Sequence, residues 1–288
     1  MSPRGETPQS EHRRLRVALR DARDALHLTQ KEVADALEWS SSKIIRIESG
    51  SVGISVTDLK ALLLHYRVTD ANEVDRMVTM ARASKKAAWW QEHRELLTQD
   101  FITFLGLEAS AVRMKQFQGL LFPGLLQSRS YIKALLALGD NTPEQERRGV
   151  EVRLKRQELI SDHGPEISFI IDESVLYRKV GDAAAMREQL EKVKEVAEHP
   201  RVSIRVMPFA AGVHKGMKSS FEILELSDEP GDYALLLEQP YKDQLFQVVN
   251  DETKEFVDIF SELEKIALPA TETPRMIDER LKEMGRER

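Results

Sequence analysis

The sequence predicts two folded parts: a mainly α N-terminal domain of five short helices, and an α+β C-terminal domain with a small mixed sheet. Three observations carry this reading. Apolar residues recur at helical spacing through the first 86 residues, with almost no strand-like alternation. After Pro165 the period switches to short β-branched runs. Charge divides in the same way, with 15 Lys/Arg against 12 Asp/Glu in residues 1–86 and 27 against 36 in the remainder.

Residues 1–9 are polar, hold Pro3, Gly5 and Pro8, and read as a flexible N-terminus. Leu15, Leu19, Ala22 and Leu26 give the first helix one apolar face. Thr29 with Glu32 three residues on reads as a capping box that opens a second helix burying Val33, Ala34 and Leu37. Ser40 opens a third, with Ile44 and Ile47 inward, and Gly50 closes it. Thr57 is expected to cap a fourth helix, which buries Leu59, Leu62 and Leu63. Asn72 to Ser84 makes a fifth, completing a domain over residues 10–86.

The second domain is expected over residues 87–270. Residues 89–163 read as helices broken at Gly106, at Pro123-Gly124 and around Gly139 to Pro143. Strands are expected at Ile167–Ile171, Val202–Met207, Ser219–Leu226 (with one wet face) and Tyr233–Glu238, the last after a Glu229-Pro230-Gly231-Asp232 turn. Gln244–Val249 is either a strand or the approach to a helix. Helices are expected at Asp182–His199 and Glu252–Leu268, followed by a charged tail over 271–288 that is either a helix docking on a partner subunit or a frayed end.

Composition narrows the function. The chain of 288 residues carries a net charge of −6 and no cysteine, so it has no disulfide framework, thiol nucleophile or thiolate metal site. No apolar run approaches the roughly 18 residues of a membrane span, and residues 1–9 lack the apolar core of a secretory signal. A cytoplasmic protein with no membrane partner is expected.

The segment from Leu28 to Gly50 carries the most specific pattern. Two short helices are joined by a turn of about three residues, with small Ala34 where they cross; that is the geometry of a helix-turn-helix unit. A long side chain at the crossing would hold the helices apart. With Ile44 and Ile47 inward, the outer face presents Ser41, Ser42, Ile45, Arg46 and Ser49.

Here the sequence resembles the Xre-type helix-turn-helix transcription regulators, through Leu28-Thr29-Gln30, Ala34, Leu37, Ser40, Ile44, Ile47, Glu48 and Gly50 at the family's spacing. The resemblance implies that Ser40 to Ser49 is a recognition helix lying in the major groove. Ser40 would open it, and Ser41, Ser42 and Arg46 would reach base edges. Gln30 and Lys43 would contact phosphates. Arg23 and Glu48 match a pair that bridges the first and third helices. His27 and Glu38 depart from the pattern, standing where glycine is frequent because the backbone there favours positive φ. Trp39 replaces a smaller aliphatic residue and is read as core. Arg13, Arg14, Arg16 and Arg20 form a basic run on the first helix, either a solvated face or a track for phosphates; Arg13, Arg14 and Thr29 are the candidate phosphate contacts.

Gln118 to Gln127, running into Ser130 to Leu136, resembles a stretch of an actinobacterial group that includes the WhiJ-like regulators. Arg153 to Leu159, Ile171 to Leu176, Val206 to Pro208 and Phe221 near Gly212 to His214 extend the likeness. It implies a transcription regulator paired, antitoxin-like, with a small partner protein.

Enzyme signatures are missing from the second domain. Asp172 and Glu173 end an expected strand, where acid/base groups occur, but the pair equally forms a helix cap, the reading favoured here. Gly212 to Gly216 is either an anion loop or a plain loop. The seven histidines fall at no metal-ligand spacing. Trp89, Trp90, Phe101, Phe104, Phe117, Phe122 and Tyr131 are read as core, with a ligand pocket or partner groove as alternatives. The expectation is a regulator without enzyme activity, catalytic residues, metal or cofactor. It would bind double-stranded DNA as a homodimer on an inverted repeat. A small partner protein or a small-molecule effector would control it through the second domain. The alternatives are a sensor or enzyme-derived second domain, and an antitoxin-like protein whose main partner is a small protein.

Overall fold

A computed structural model of the chain describes residues 8–48, 52–84, 89–228, 231–239, 242–247 and 249–286, with backbone alone for 8–10, 13, 83, 84 and 91. The expectations at Ser49, Gly50, Glu229, Pro230 and the Arg13 side chain lie outside the described residues. Two units divide the chain, Met1–Ala111 and Val112–Arg288, so the division falls further along than the composition change at Lys85.

The first unit opens with α1 (Pro8–Asp24), α2 (Gln30–Ala36), α3 (Ser41–Glu48), α4 (Val56–His65) and α5 (Ala71–Ser84). Leu15, Leu19, Val33, Ala34, Ile44, Ile47, Leu59, Leu62, Leu63, Met77 and Val78 share one core. Fully buried Ala34 lets α2 and α3 close on each other, as its size predicts. Thr29 forms the expected reciprocal capping box with Glu32. Trp39 packs against this core, in line with its reading. The cap of α4 is Ser55, whose backbone is extended and whose hydroxyl oxygen accepts the Asp58 N–H at 2.9 Å; Thr57 is a residue of the helix itself.

Three of these helices end in the same way. His27, Glu38 and Arg67 have φ of 55°, 55° and 57°. In each case the next residue's N–H reaches back five positions: Leu28 to the Arg23 carbonyl, Trp39 to Ala34 and Val68 to Leu63. This 6→1 closure usually carries glycine at its left-handed position. Here side-chain-bearing residues occupy all three, at a steric cost of about 1 kcal/mol each.

After α6 (Gln99–Glu108), the second unit builds on β1 (Arg113–Gln118), β2 (Glu166–Asp172), β3 (Val202–Met207), β4 (Phe221–Glu225), β5 (Tyr233–Leu237) and β6 (Gln244–Phe246). Strand order is β3-β2-β1-β4-β5-β6. The first three strands are parallel and the last three join antiparallel. Parallel neighbours need crossovers. Here α7 (Arg129–Leu136) and α8 (Pro143–Arg156) lie between β1 and β2. Between β2 and β3 lie α9 (Ser174–Tyr177) and α10 (Ala183–Ala197). α11 (Asp251–Ile266) buries Ile259, Phe260 and Leu263 against Phe117, Ile170, Met207, Phe221 and Leu235 of the sheet.

Three expectations need correction. Residues 89–163 are not all helical, because β1 runs through them near the centre of the sheet. Gly106 sits inside α6, where a side chain would meet open space, and breaks nothing. β4 has no wet face over its first four residues: Glu222, expected on the solvent side, is buried beside Gln116 of β1. Of the two readings of the charged tail the helix holds, as α12 (Thr273–Arg286), and it packs on α10 of the same chain. Its Thr273 hydroxyl donates to the Ile204 carbonyl at 2.7 Å, Lys194 pairs with Asp278, and Ile277 is fully buried.

The left-handed caps give a direct test. Glu38 is exposed at φ 55°, so Glu38→Gly is expected to stabilise the first unit by about 1 kcal/mol. Chemical denaturation checks this; an unchanged or lower midpoint would mean that the turn is not strained.

Candidate nucleic-acid interface

α3 has two unlike faces. Ile44 and Ile47 are buried in the core, whereas Ser41, Ser42, Ile45 and Arg46 are exposed together on the other side. Their 3.6-residue spacing puts all four on one stripe. Ser40 precedes the helix, and its hydroxyl accepts the Lys43 N–H at 3.3 Å; it serves as the cap.

Lys43 is held on both sides. Its Nζ lies 3.6 Å from the centre of the Trp39 ring and 3.1 Å from Asp58 Oδ1. The indole face and the carboxylate together restrain this ammonium, which shares its charge with Asp58. The residue that sequence reasoning assigned to the core of the turn therefore also positions a cation.

Glu48, at the end of α3, organises the rest. Its carboxylate is 1% exposed and receives three donors. Arg23 Nε of α1 lies 2.8 Å from Oε1, Gln30 Nε2 of α2 lies 2.8 Å from Oε2, and the Tyr66 hydroxyl after α4 lies 3.4 Å from Oε1. The Arg23–Glu48 bridge implied by the family pattern is present. Arg23 also donates to the Leu28 carbonyl at 2.6 Å, and Arg20 to the Glu48 carbonyl at 3.4 Å. Burial alone would disfavour the Arg23 charge, but its hydrogen bond to Glu48 and the carboxylate's charge hold its pKa above the ordinary value. Burial first, and the Glu48 charge second, push the Tyr66 hydroxyl well above its usual range, so it stays a donor. Tyr66 gave no sequence signal beyond an aromatic residue at a helix end.

Gln30 thus does not point freely into solvent. Its amide nitrogen carries two hydrogens, and one of them goes to Glu48. Thr29 is exposed, but both its hydroxyl and its backbone N–H serve the capping box with Glu32. Those bonds hold the exposed Glu32 carboxyl below its ordinary pKa.

The basic run on α1 separates by burial. Arg16 is buried and donates to the Ser110 carbonyl, so it is structural. Arg20 is half-buried against α3. Arg14 is exposed and paired with Glu11 at 3.2 Å.

The second unit brings its sequence-marked residues together at the carboxyl ends of β1, β2 and β3, and there they bind one another. Asp172 Oδ1 accepts the Ser174 N–H at 2.9 Å, and Glu173 Oε2 accepts the Phe209 N–H at 2.7 Å. Asp172 thus holds a local turn, and Glu173 ties the end of β2 to the segment after β3. Gly212 has φ 67°, and the loop after it is pinned by Lys215 to Glu262 and by the buried His214 ring edge-on to Phe117. Phe104, Phe117, Phe122 and Tyr131 are core residues, at most 2% exposed. Trp89, Trp90 and Phe101 are half-buried. Among the described residues, no helix is long and apolar enough to cross a membrane.

An exposed polar helix carried across a second short helix, with a buried ionic joint behind both, defines a helix-turn-helix protein, the class of DNA-binding regulators. A model of the helix-turn-helix domain matches residues 14–77. The model of DUF5753, a domain of unknown function, matches residues 101–279, and by that match over more than half of its length the chain belongs to the DUF5753 family. The match begins within α6, ahead of the second unit. No curated protein and no solved structure matches the chain.

The ionic joint is testable apart from DNA. Glu48→Ala leaves the buried Arg23 guanidinium only the exposed Asp24 carboxylate as counter-charge and is expected to destabilise the first unit by about 3 kcal/mol. The double change Arg23→Met/Glu48→Leu, which removes the charges together, is expected to recover most of that loss. Denaturation midpoints of the three chains check this; a double variant as weak as Glu48→Ala would show that packing, not the stranded charge, is responsible.

Proposed function

We propose that the protein is a sequence-specific transcription regulator of the Xre-type group, acting as a homodimer on an inverted repeat in the cytoplasm. The single observation that carries the reading is the exposed stripe Ser41, Ser42, Ile45 and Arg46 on a helix whose other face is buried. Short serines allow close approach to base edges. Arg46 supplies the side chain suited to a bidentate contact with guanine, worth about 1–3 kcal/mol of discrimination. Gln30, Lys43 and Arg14 set the register through phosphates. One helix-turn-helix unit contacts too few base pairs for operator selectivity, so two copies would read half-sites about 34 Å apart, or a multiple of that.

The second unit is proposed as regulatory and not catalytic. Its acidic pair at Asp172 and Glu173 is spent on turn hydrogen bonds, which supports this reading. A small partner protein or a small-molecule effector would act through it, in the antitoxin-like manner that the sequence resemblance implies.

Selection from a randomised duplex pool, followed by titration at several salt concentrations, tests the proposal. Arg46→Ala is expected to relax preference at one base pair per half-site by about 1–3 kcal/mol. Gln30→Ala should weaken selected and random duplexes alike. Binding of the parent chain with no sequence preference would overturn the regulator reading. Sedimentation of the free chain and of its complex tests the dimer: one copy per selected site would overturn the inverted-repeat arrangement.

A further inference from the structure

We infer that Ile45 is a specificity-determining residue that reads a thymine through its C5-methyl group. The inference rests on the DNA-binding reading above and adds a defined base feature to it. Ile45 is 48% exposed, whereas its neighbours Ile44 and Ile47 are at most 5% exposed. A single exposed aliphatic residue is ordinary on a protein surface. What distinguishes Ile45 is its place in the middle of the outward stripe, one helical turn after Ser41 and Ser42 and directly before Arg46.

That stripe is otherwise polar. Base edges in the major groove offer hydrogen-bond donors and acceptors, and one apolar group, the thymine methyl. Ser41, Ser42 and Arg46 match the polar features, and Ile45 matches the methyl. Its reach is short, so the contact needs the helix backbone close to the bases. The two serines, three and four residues earlier on the same face, leave room for that approach. A β-branched side chain in a helix is also nearly fixed at χ1. Ile45 therefore presents its methyl groups at one place and loses little freedom on contact. It is a costly choice for a water-facing helix position, where a straight-chain polar residue has higher helix propensity.

Geometry couples this contact to the one assigned to Arg46. Adjacent helical residues differ by 1.5 Å in rise, less than one base-pair step. The thymine and the guanine read by Arg46 should then lie within about two base pairs of each other.

Deoxyuridine removes only the methyl and keeps every hydrogen-bonding group, so it isolates the contact. Each thymine of the selected duplex is replaced in turn, and parent, Ile45→Ala and Ile45→Val chains are titrated. One position per half-site is expected to weaken the parent chain about fourfold, the worth of one buried methyl. Ile45→Ala should bind the thymine and uracil forms of that site equally, and Ile45→Val should keep part of the difference. The exposed position predicts unchanged thermal unfolding for both variants. The inference is overturned if no uracil position weakens the parent, if the uracil penalty persists in Ile45→Ala, or if Ile45→Ala weakens selected and random duplexes alike. Selective parent binding with no uracil effect overturns this inference alone; absence of any selective binding overturns the DNA-binding reading with it.

Discussion

The buried carboxylate of Glu48 is the joint on which the first unit depends. It gathers Arg23 from α1, Gln30 from α2 and Tyr66 from the end of α4, and it sits at the end of α3 itself. Four helices of seven to 17 residues, three of them too short to persist alone, are thus referenced to one anion. Apolar packing would bury as much surface but would tolerate sliding; hydrogen bonds to a carboxylate fix direction as well as distance. Because Gln30 is one of the donors, the same joint that sets the helix crossing also fixes the Gln30 side chain.

Around that joint the unit tolerates local strain. Three helix ends use left-handed backbone without glycine, and the 6→1 closures there are complete. Each closure brings an apolar residue, Leu28, Trp39 or Val68, back onto the core immediately after the turn. The packing gained there outweighs the backbone cost. Trp39 gains a second use, because its ring face restrains the Lys43 ammonium next to α3.

The second unit solves a different problem, placing a charged strand near the middle of a sheet. Arg113 and Lys115 of β1 meet Glu225 of β4 across the ladder, and Arg113 also reaches Asp228. These pairs hold the Glu225 carboxyl below its ordinary pKa even though its burial acts the other way. Opposite charges on neighbouring strands thus substitute for the apolar run that a central strand normally shows. The direction of the sheet reverses where β1 meets β4, and the loops gathered at the ends of β1, β2 and β3 are bound to each other through Asp172, Glu173 and His214.

Much of the first unit was legible in the sequence. Capping boxes, helical periodicity and a small residue at the crossing are local rules, and local rules place Thr29, Ala34, Ile44 and the outward stripe of α3 correctly. The strands with apolar runs, at Ile167–Ile171 and Val202–Met207, follow from composition in the same way. What the sequence did not show is whatever depends on a partner far along the chain. β1 reads as polar because its Lys and Arg are satisfied by a strand some 110 residues later. Glu222 reads as wet because alternation is blind to a second buried face. The tail reads equally as helix or frayed end because Thr273 and Ile277 acquire meaning only against β3 and α10. Likewise Gln30, Lys43 and the arginines of α1 are equivalent solvated groups in the sequence. Tertiary structure alone decides that Arg16 is buried, that Lys43 is clamped and that Gln30 is aimed, because a charged or amide side chain takes its role from the counter-group placed within hydrogen-bonding reach.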